Sequence, residues 1–244
     1  MQIPLILIDP PAPRLQDGVI GQNTAALEAL RALIKSDAHR HQSLFFWGAP
    51  GSGKSYWLAA WASAESVRCR LIDCRTNGSS DQATEVVALL ERTIAELRID
   101  QGPPVLLIDH ADTENPQLQR LLFQLYNATR ESQRSIVATA SAAPSRLSVR
   151  GDLATRFAQS LIFELHELDD QEKREALRAR AEKLALPLTE DILSYLLTRM
   201  PRDLGLLIRV VDSLNQYTLS RQRPATLPLL KELLDSIDAR TRPV

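Results

Sequence analysis

The run Gly48-Ala49-Pro50-Gly51-Ser52-Gly53-Lys54-Ser55 fits the pattern G-x-x-x-x-G-K-[ST]. Its glycines permit the backbone angles that turn successive N–H groups inward into an anion nest. A helix starting at its end adds partial positive charge. Lys54 is placed to reach the outer phosphates of a nucleotide, and the Ser55 hydroxyl to ligate Mg²⁺. The partner feature lies 55 residues beyond Lys54, where Val105-Leu106-Leu107-Ile108 ends in Asp109. An apolar strand ending in Asp sets a carboxylate beside the metal. Many P-loop ATPases follow that Asp with a second acid, which orients the attacking water. Here the next residue is His110, and the next acid is Asp112. An imidazole can accept a proton, but His110 reads as a plain loop histidine. The pattern predicts a competent nucleotide pocket with weak hydrolysis of its own.

These residues need a sheet to hold them. Ser43–Trp47 is a short apolar run ending in glycine, which predicts a buried strand before the loop. A helix carrying Trp57 and Trp61 follows. Val67–Cys74, Val105–Ile108, Ser135–Thr139 and Leu161–Leu165 are further strand candidates. Helical spacing marks the stretch from Asn23, Val86–Leu97, and the row Leu118, Leu121, Leu122, Leu125 and Tyr126. Strands alternating with helices predict a parallel α/β sheet. After Leu168 the strand signals stop. Helices are expected from Asp169-Asp170 to about Leu184, from Thr189 to about Met200, over Leu204–Leu214, and over Leu227–Leu234. The expected organisation is a tail and proline-rich linker over 1–14, an α/β nucleotide-binding domain over 15–167, and a small all-α lid over 168–244.

Composition agrees with a globular protein. The 244 residues are 44% hydrophobic and 24% charged, with 29 Lys+Arg against 30 Asp+Glu. That balance argues against wholesale wrapping of nucleic acid. Two cysteines, Cys69 and Cys74, are too few for a disulfide framework and read as buried thiols in a reducing compartment. No leader or membrane span is expected, and the location expected is cytoplasmic. The three tryptophans read as core, and His39, His41 and His166 as surface or loop residues.

The P-loop, the acidic strand end, the later Arg156 and the helical C-terminal part together resemble an AAA+ protein, and within that class the DnaA-like family. Val19-Ile20-Gly21-Gln22-Asn23 resembles the family's segment lining the adenine pocket. Asp152-Leu153-Ala154-Thr155-Arg156-Phe157 resembles its arginine-finger motif, and Arg202-Asp203-Leu204 its second sensor. Ile136–Ser141 resembles the first sensor, with either Ser141 or Thr139 as the sensing side chain. Gln2-Ile3-Pro4-Leu5-Ile6-Leu7 resembles the hexapeptide Q-L-x-L-x-L that binds the sliding clamp, with Ile3 in place of the first Leu and Gln2, Ile3, Leu5 and Leu7 as contact residues.

The resemblance implies an AAA+ α/β domain followed by a helical lid. It implies an adenine nucleotide, ADP or ATP with Mg²⁺, held by Ile20, Gly48, Pro50, Gly51, Ser52, Gly53, Lys54, Ser55, Ser141 and Arg202, with Ser55 and Asp109 at the metal. The chain ends near the close of the lid, so the family's helix-turn-helix domain and its sequence-specific DNA binding are not expected. That layout resembles the family's regulatory inactivators. It implies a negative regulator of chromosomal replication initiation that acts with the DNA-loaded sliding clamp of DNA polymerase III, its β subunit. Arg156 would act in trans on ATP held by DnaA, with Asp109 the other catalytic residue. Self-association is compatible with it, and membrane binding is not expected. Two rivals remain: an active AAA+ ATPase of the helicase-loader or clamp-loader type, and a P-loop kinase, which the lid helices disfavour.

Overall fold

Alternate residues of the central strands feed two different cores, and this makes the sheet the middle of three layers. The computed structural model describes residues 12–36, 40–76, 78–201 and 203–240, with side chains through 236. Five strands are present: β1 (Ser43–Trp47), β2 (Cys69–Asp73), β3 (Val105–Asp109), β4 (Ser135–Ala140) and β5 (Leu161–Glu164). They pair in parallel in the order β2-β3-β4-β1-β5. On one face Phe45, Leu106, Ile108, Ile136 and Ala138 pack with α3 (Ser80–Arg98), α4 (Pro116–Glu131) and α5 (Gly151–Ala158). On the other Leu44, Phe46, Val105, Leu107 and Val137 pack with α1 (Thr24–Lys35) and α2 (Lys54–Ala64). Covering both faces is why β3 and β4 are buried at every residue and read as unbroken apolar runs.

The helix ends follow ordinary capping chemistry. Asn115 Oδ1 accepts from Gln117 N at 2.9 Å, and Pro116 sits at the first position of α4, where no N–H is needed. Trp57 and Trp61 are buried, as expected, and Trp47 packs against the α3–α4 side. Both cysteines are buried free thiols, and burial pushes Cys69 up to about 11 and Cys74 up to about 12. Two expectations need correction. Val67 is 90% exposed, outside β2, which starts at Cys69. Residues 151–158, read only as a motif, form the helix α5, whose Leu153 and Phe157 enter the core.

Contacts divide the chain into two compact units, one covering Pro13–Glu167 and the other taking in everything from Leu168 on. The second is helical: α6 (Asp170–Lys183), α7 (Glu190–Arg199), α8 (Leu204–Arg221) and α9 (Leu227–Arg240). Asp169 and Glu172 form a capping box at the start of α6, and Asp203 caps α8 by accepting from Leu206 N. Leu177, Ile192, Leu193, Leu196, Leu207, Val210 and Leu229 make its core. Among the described residues no helix is long and apolar enough to cross a membrane.

Candidate nucleotide site and the arginine of α5

The loop between β1 and α2 is shaped by its glycines. Gly51 and Gly53 have φ of +87° and +89°, a left-handed conformation that L side chains rarely adopt. Gly48 is needed for a different reason: a Cβ there would lie 2.2 Å from the Leu165 carbonyl oxygen and 2.9 Å from Ser52 Oγ. Ser52 is buried, Pro50 and Gly51 are exposed, and Lys54 and Ser55 are half-buried at the start of α2. Lys54 Nζ donates to the carbonyl oxygens of Gly48 at 2.6 Å and Ala49 at 2.9 Å, and to Ser52 Oγ at 3.2 Å. Burial pulls its pKa below the usual lysine value, with Asp109, Asp112 and Glu167 acting in the opposite direction. An ammonium held over a glycine loop at a helix N-terminus fits a phosphate group.

The segment assigned to adenine runs alongside. A Cβ at Gly18 would lie 2.3 Å from the Trp57 ring, so only glycine lets the chain cross α2 this closely. Ile20, 45% exposed, follows two residues later. Asn23 then fixes the segment to the end of β5: its Nδ2 donates to His166 O at 2.9 Å, and its Oδ1 accepts from His166 N at 2.7 Å. Sequence reasoning placed Asn23 in the adenine segment but not this anchoring bond, because its partner lies 143 residues away.

Asp109 is buried and crowded with donors. Thr139 Oγ1 donates to Oδ1, which also accepts from His110 N at 3.2 Å. The His110 ring Nδ1 lies 3.2 Å from Oδ2. Burial raises the Asp109 pKa, but its hydrogen-bond donors, His110 foremost, outweigh it and leave the group below the usual carboxylate range. His110 is no plain loop histidine. Its φ is +54°, and its Nδ1 also lies 3.1 Å from Oδ1 of Asp73, which faces Asp109 across the β2–β3 register. The two carboxylates raise the imidazole to about 9. Asp73 is held well below the carboxylate range: His110 and Arg75 bond to it and outweigh its desolvation.

The two sensor candidates separate. Thr139 is fully buried and bonds to Asp109, whereas Ser141 is exposed and donates its N–H to Asp112 at 2.8 Å. The geometry joins Thr139, not Ser141, to the acidic strand end. Arg202, Gln2, Ile3, Leu5 and Leu7 lie outside the described residues.

Arg156 sits elsewhere. It projects from α5 at the N-terminal ends of β1 and β5, where with Ser43, Leu44, Tyr126, Gln159 and Leu161 it lines a cavity of about 690 Å³. The P-loop leaves the opposite, C-terminal end of β1, about 13 Å along the strand. Asp152, one conceivable partner for Arg156, is paired instead with Arg150 at 2.7 Å. Arg156 Nη1 bonds to Gln159 Oε1 at 3.2 Å, its Cζ lies 5.5 Å from the Phe123 ring centroid, and its buried Nε has no hydrogen-bond partner among the described residues.

A five-stranded parallel sheet with a phosphate loop after β1 and an acidic end on β3 defines the P-loop nucleotide-binding class. Comparison places the chain within it. The family model for the "ATPase family associated with various cellular activities (AAA)" matches residues 44–165, and that for "Hda, lid domain" matches residues 170–234. The chain belongs to the AAA+ family as one of its Hda/DnaA-like proteins. An uncharacterised protein of Haemophilus influenzae is 29% identical over 220 residues, 88% of this chain and 90% of its own length. Domain III of the replication initiation protein DnaA from Thermotoga maritima superposes with a TM-score of 0.73 at 23% identity, covering 93% of this chain and 98% of its own. AMPPCP-bound DnaA from Aquifex aeolicus superposes with a TM-score of 0.63 at 22% identity, over 86% of this chain and 68% of its own.

Proposed function

We propose that this chain is a regulator of DnaA that holds an adenine nucleotide at its P-loop and supplies Arg156 to the ATP site of DnaA, so that the ATP bound there is hydrolysed and initiation is switched off. In this reading Gln2, Ile3, Leu5 and Leu7 dock on the DNA-loaded β sliding clamp as an extended peptide. The nucleotide is ADP or ATP, with Lys54 and the loop N–H groups on the phosphates and Ser55 the side chain offered to Mg²⁺. Arg202 senses the nucleotide from the lid, and the setting is cytoplasmic.

The observation that carries the reading is the placement of Arg156. It stands at the far end of its own sheet from Lys54, and among the described residues its Nε is unbonded and it has no carboxylate partner. A guanidinium so placed serves a neighbouring molecule better than its own pocket. There its planar fork meets the charge that develops on a transferring phosphoryl group, an effect worth on the order of 10³–10⁵ in rate. The rival reading, an active helicase-loader or clamp-loader ATPase, finds less support, because His110 occupies the position next to Asp109 where a water-orienting acid is needed. The test is hydrolysis of DnaA-bound ATP with and without this protein and DNA-loaded clamp. Stimulation only when both are present is the expected result. Rapid ATP turnover by this protein alone would favour the rival.

A further inference from the structure

The cavity of about 690 Å³ at the end of the sheet opposite the phosphate loop has two unlike walls. One is apolar: Ala29, Ala32 and Leu33 of α1, with Leu44 of β1 and Leu161 of β5. The other is cationic. Arg130 of α4 and Arg156 of α5 both line it, and among the described residues no Asp or Glu does so. Arg130 is exposed, and its guanidinium makes no hydrogen bond or ion pair among the described residues. His41, also in the lining, is held by the bond from its Nδ1 to the Arg134 carbonyl oxygen at 2.7 Å.

Two buried donors at this cavity are left over. Among the described residues three buried side-chain polar atoms have no hydrogen-bond partner, and two of them, the Tyr126 hydroxyl and Arg156 Nε, belong to its lining. Tyr126 is only 3% exposed. Buried polar groups in folded proteins are nearly always paired, so two orphans at one cavity point to an acceptor that the chain does not itself supply. A lone water or inorganic ion would leave the apolar wall uncovered. The volume lies within the range of small-molecule sites, about 300–1,000 Å³.

We propose that this cavity binds a small organic anion, its oxyanion head between Arg130 and Arg156 and its apolar body against α1, Leu44 and Leu161. Guanidinium groups suit the head, because their forked N–H donors match the oxygens of a carboxylate, sulfonate or phosphate ester in pairs. Tyr126 adds a neutral donor. The body gains from leaving water against alanine and leucine side chains. The site lies within the Pro13–Glu167 unit, apart from the P-loop, and does not depend on what Arg156 does toward a neighbour.

The test uses 8-anilinonaphthalene-1-sulfonate, an aromatic sulfonate that fluoresces on leaving water, titrated into the full chain in the presence of ADP. Saturable binding at one site per chain is expected. Arg130→Ala removes a side chain without bonds to its own chain, so it should melt as the wild type does. Its affinity for the probe should fall about tenfold or more, the factor that one charge-assisted hydrogen bond is worth. Leu161→Glu, at a position 58% exposed, sets a carboxylate on the apolar wall and should weaken binding as much. Inorganic phosphate at equal ionic strength should not displace the probe. Absence of saturable binding would overturn the inference. So would wild-type affinity in either variant, which would place the probe elsewhere. Displacement by inorganic phosphate would overturn the apolar half of the site.

Discussion

Replacing Arg156 by Ala removes a guanidinium whose own-chain contacts are few, and this makes the two halves of its effect separable. Within the chain the substitution loses a ring contact at 5.5 Å with Phe123 and a 3.2 Å bond to Gln159. A partly exposed cation–π contact is worth about 0.5–1 kcal/mol. Removing an unbonded buried Nε gives some of that back. The net stability change is therefore expected to stay under about 1 kcal/mol, or about 2–4 °C in Tm for a chain of this size. Nucleotide affinity should not move, because the P-loop lies at the other end of β1. The effect on DnaA should be large. A finger worth 10³–10⁵ in rate corresponds to about 4–7 kcal/mol of transition-state stabilisation. The assay follows phosphate release from ATP-loaded DnaA in the presence of clamp on DNA, alongside thermal melting and mant-ADP titration of the variant. Full stimulation by Arg156→Ala would refute the trans assignment. Loss of the variant's own nucleotide affinity would mean that Arg156 acts in cis.

The other predictions are simpler. Lys54→Ala should abolish nucleotide binding, since it removes the mobile cation over the loop; undiminished binding of a fluorescent adenine nucleotide would mark the P-loop as vestigial. Gly48→Ala puts a methyl group 2.2 Å from a backbone oxygen, and urea unfolding should show a loss of about 1–3 kcal/mol together with weakened nucleotide binding. Deleting residues 1–8 should leave the melting curve of the body intact and end capture by immobilised sliding clamp. Stability should also depend on pH through the cluster at Asp109. His110 is raised to about 9, so its contribution is complete below the ordinary histidine value and is lost as pH rises through about 9. Asp73 and Asp109 are depressed, so theirs is present above the ordinary carboxylate value and is lost as pH falls below it. Urea midpoints should fall between about pH 7 and pH 10 in the wild type, and the fall should flatten in His110→Gly.

Much of this was legible in the sequence because the signals are local. An apolar run, a glycine and a Lys-Ser pair announce β1, the loop and α2. Asp169 announces the first lid helix by its capping chemistry, and the apolar spacing from Leu204 announces the third. What escaped depends on pairing between distant strands. Nothing near His110 hints that Asp73, 37 residues earlier, stands opposite Asp109, so the residue passed for an ordinary loop histidine. The sensor position stayed open for the same reason. Thr139 and Ser141 differ by one strand period, and only the β3–β4 register shows that the first meets Asp109 and the second Asp112. The helix around Arg156 escaped because its eight residues carry only two buried side chains, too few for a periodic signal.

The two thiols have a practical consequence. Both are buried, with pKa values pushed to about 11 and about 12, so at neutral pH the reactive thiolate is scarce and shielded. The chain is in effect already blank to maleimides and iodoacetamide without any cysteine being removed. A single cysteine introduced on the exposed margin of β5, at Ile162 for example, which is 40% exposed, would carry a spin label or fluorophore alone. Distances from that edge to a partner bound beside Arg156 then become measurable on an otherwise native surface.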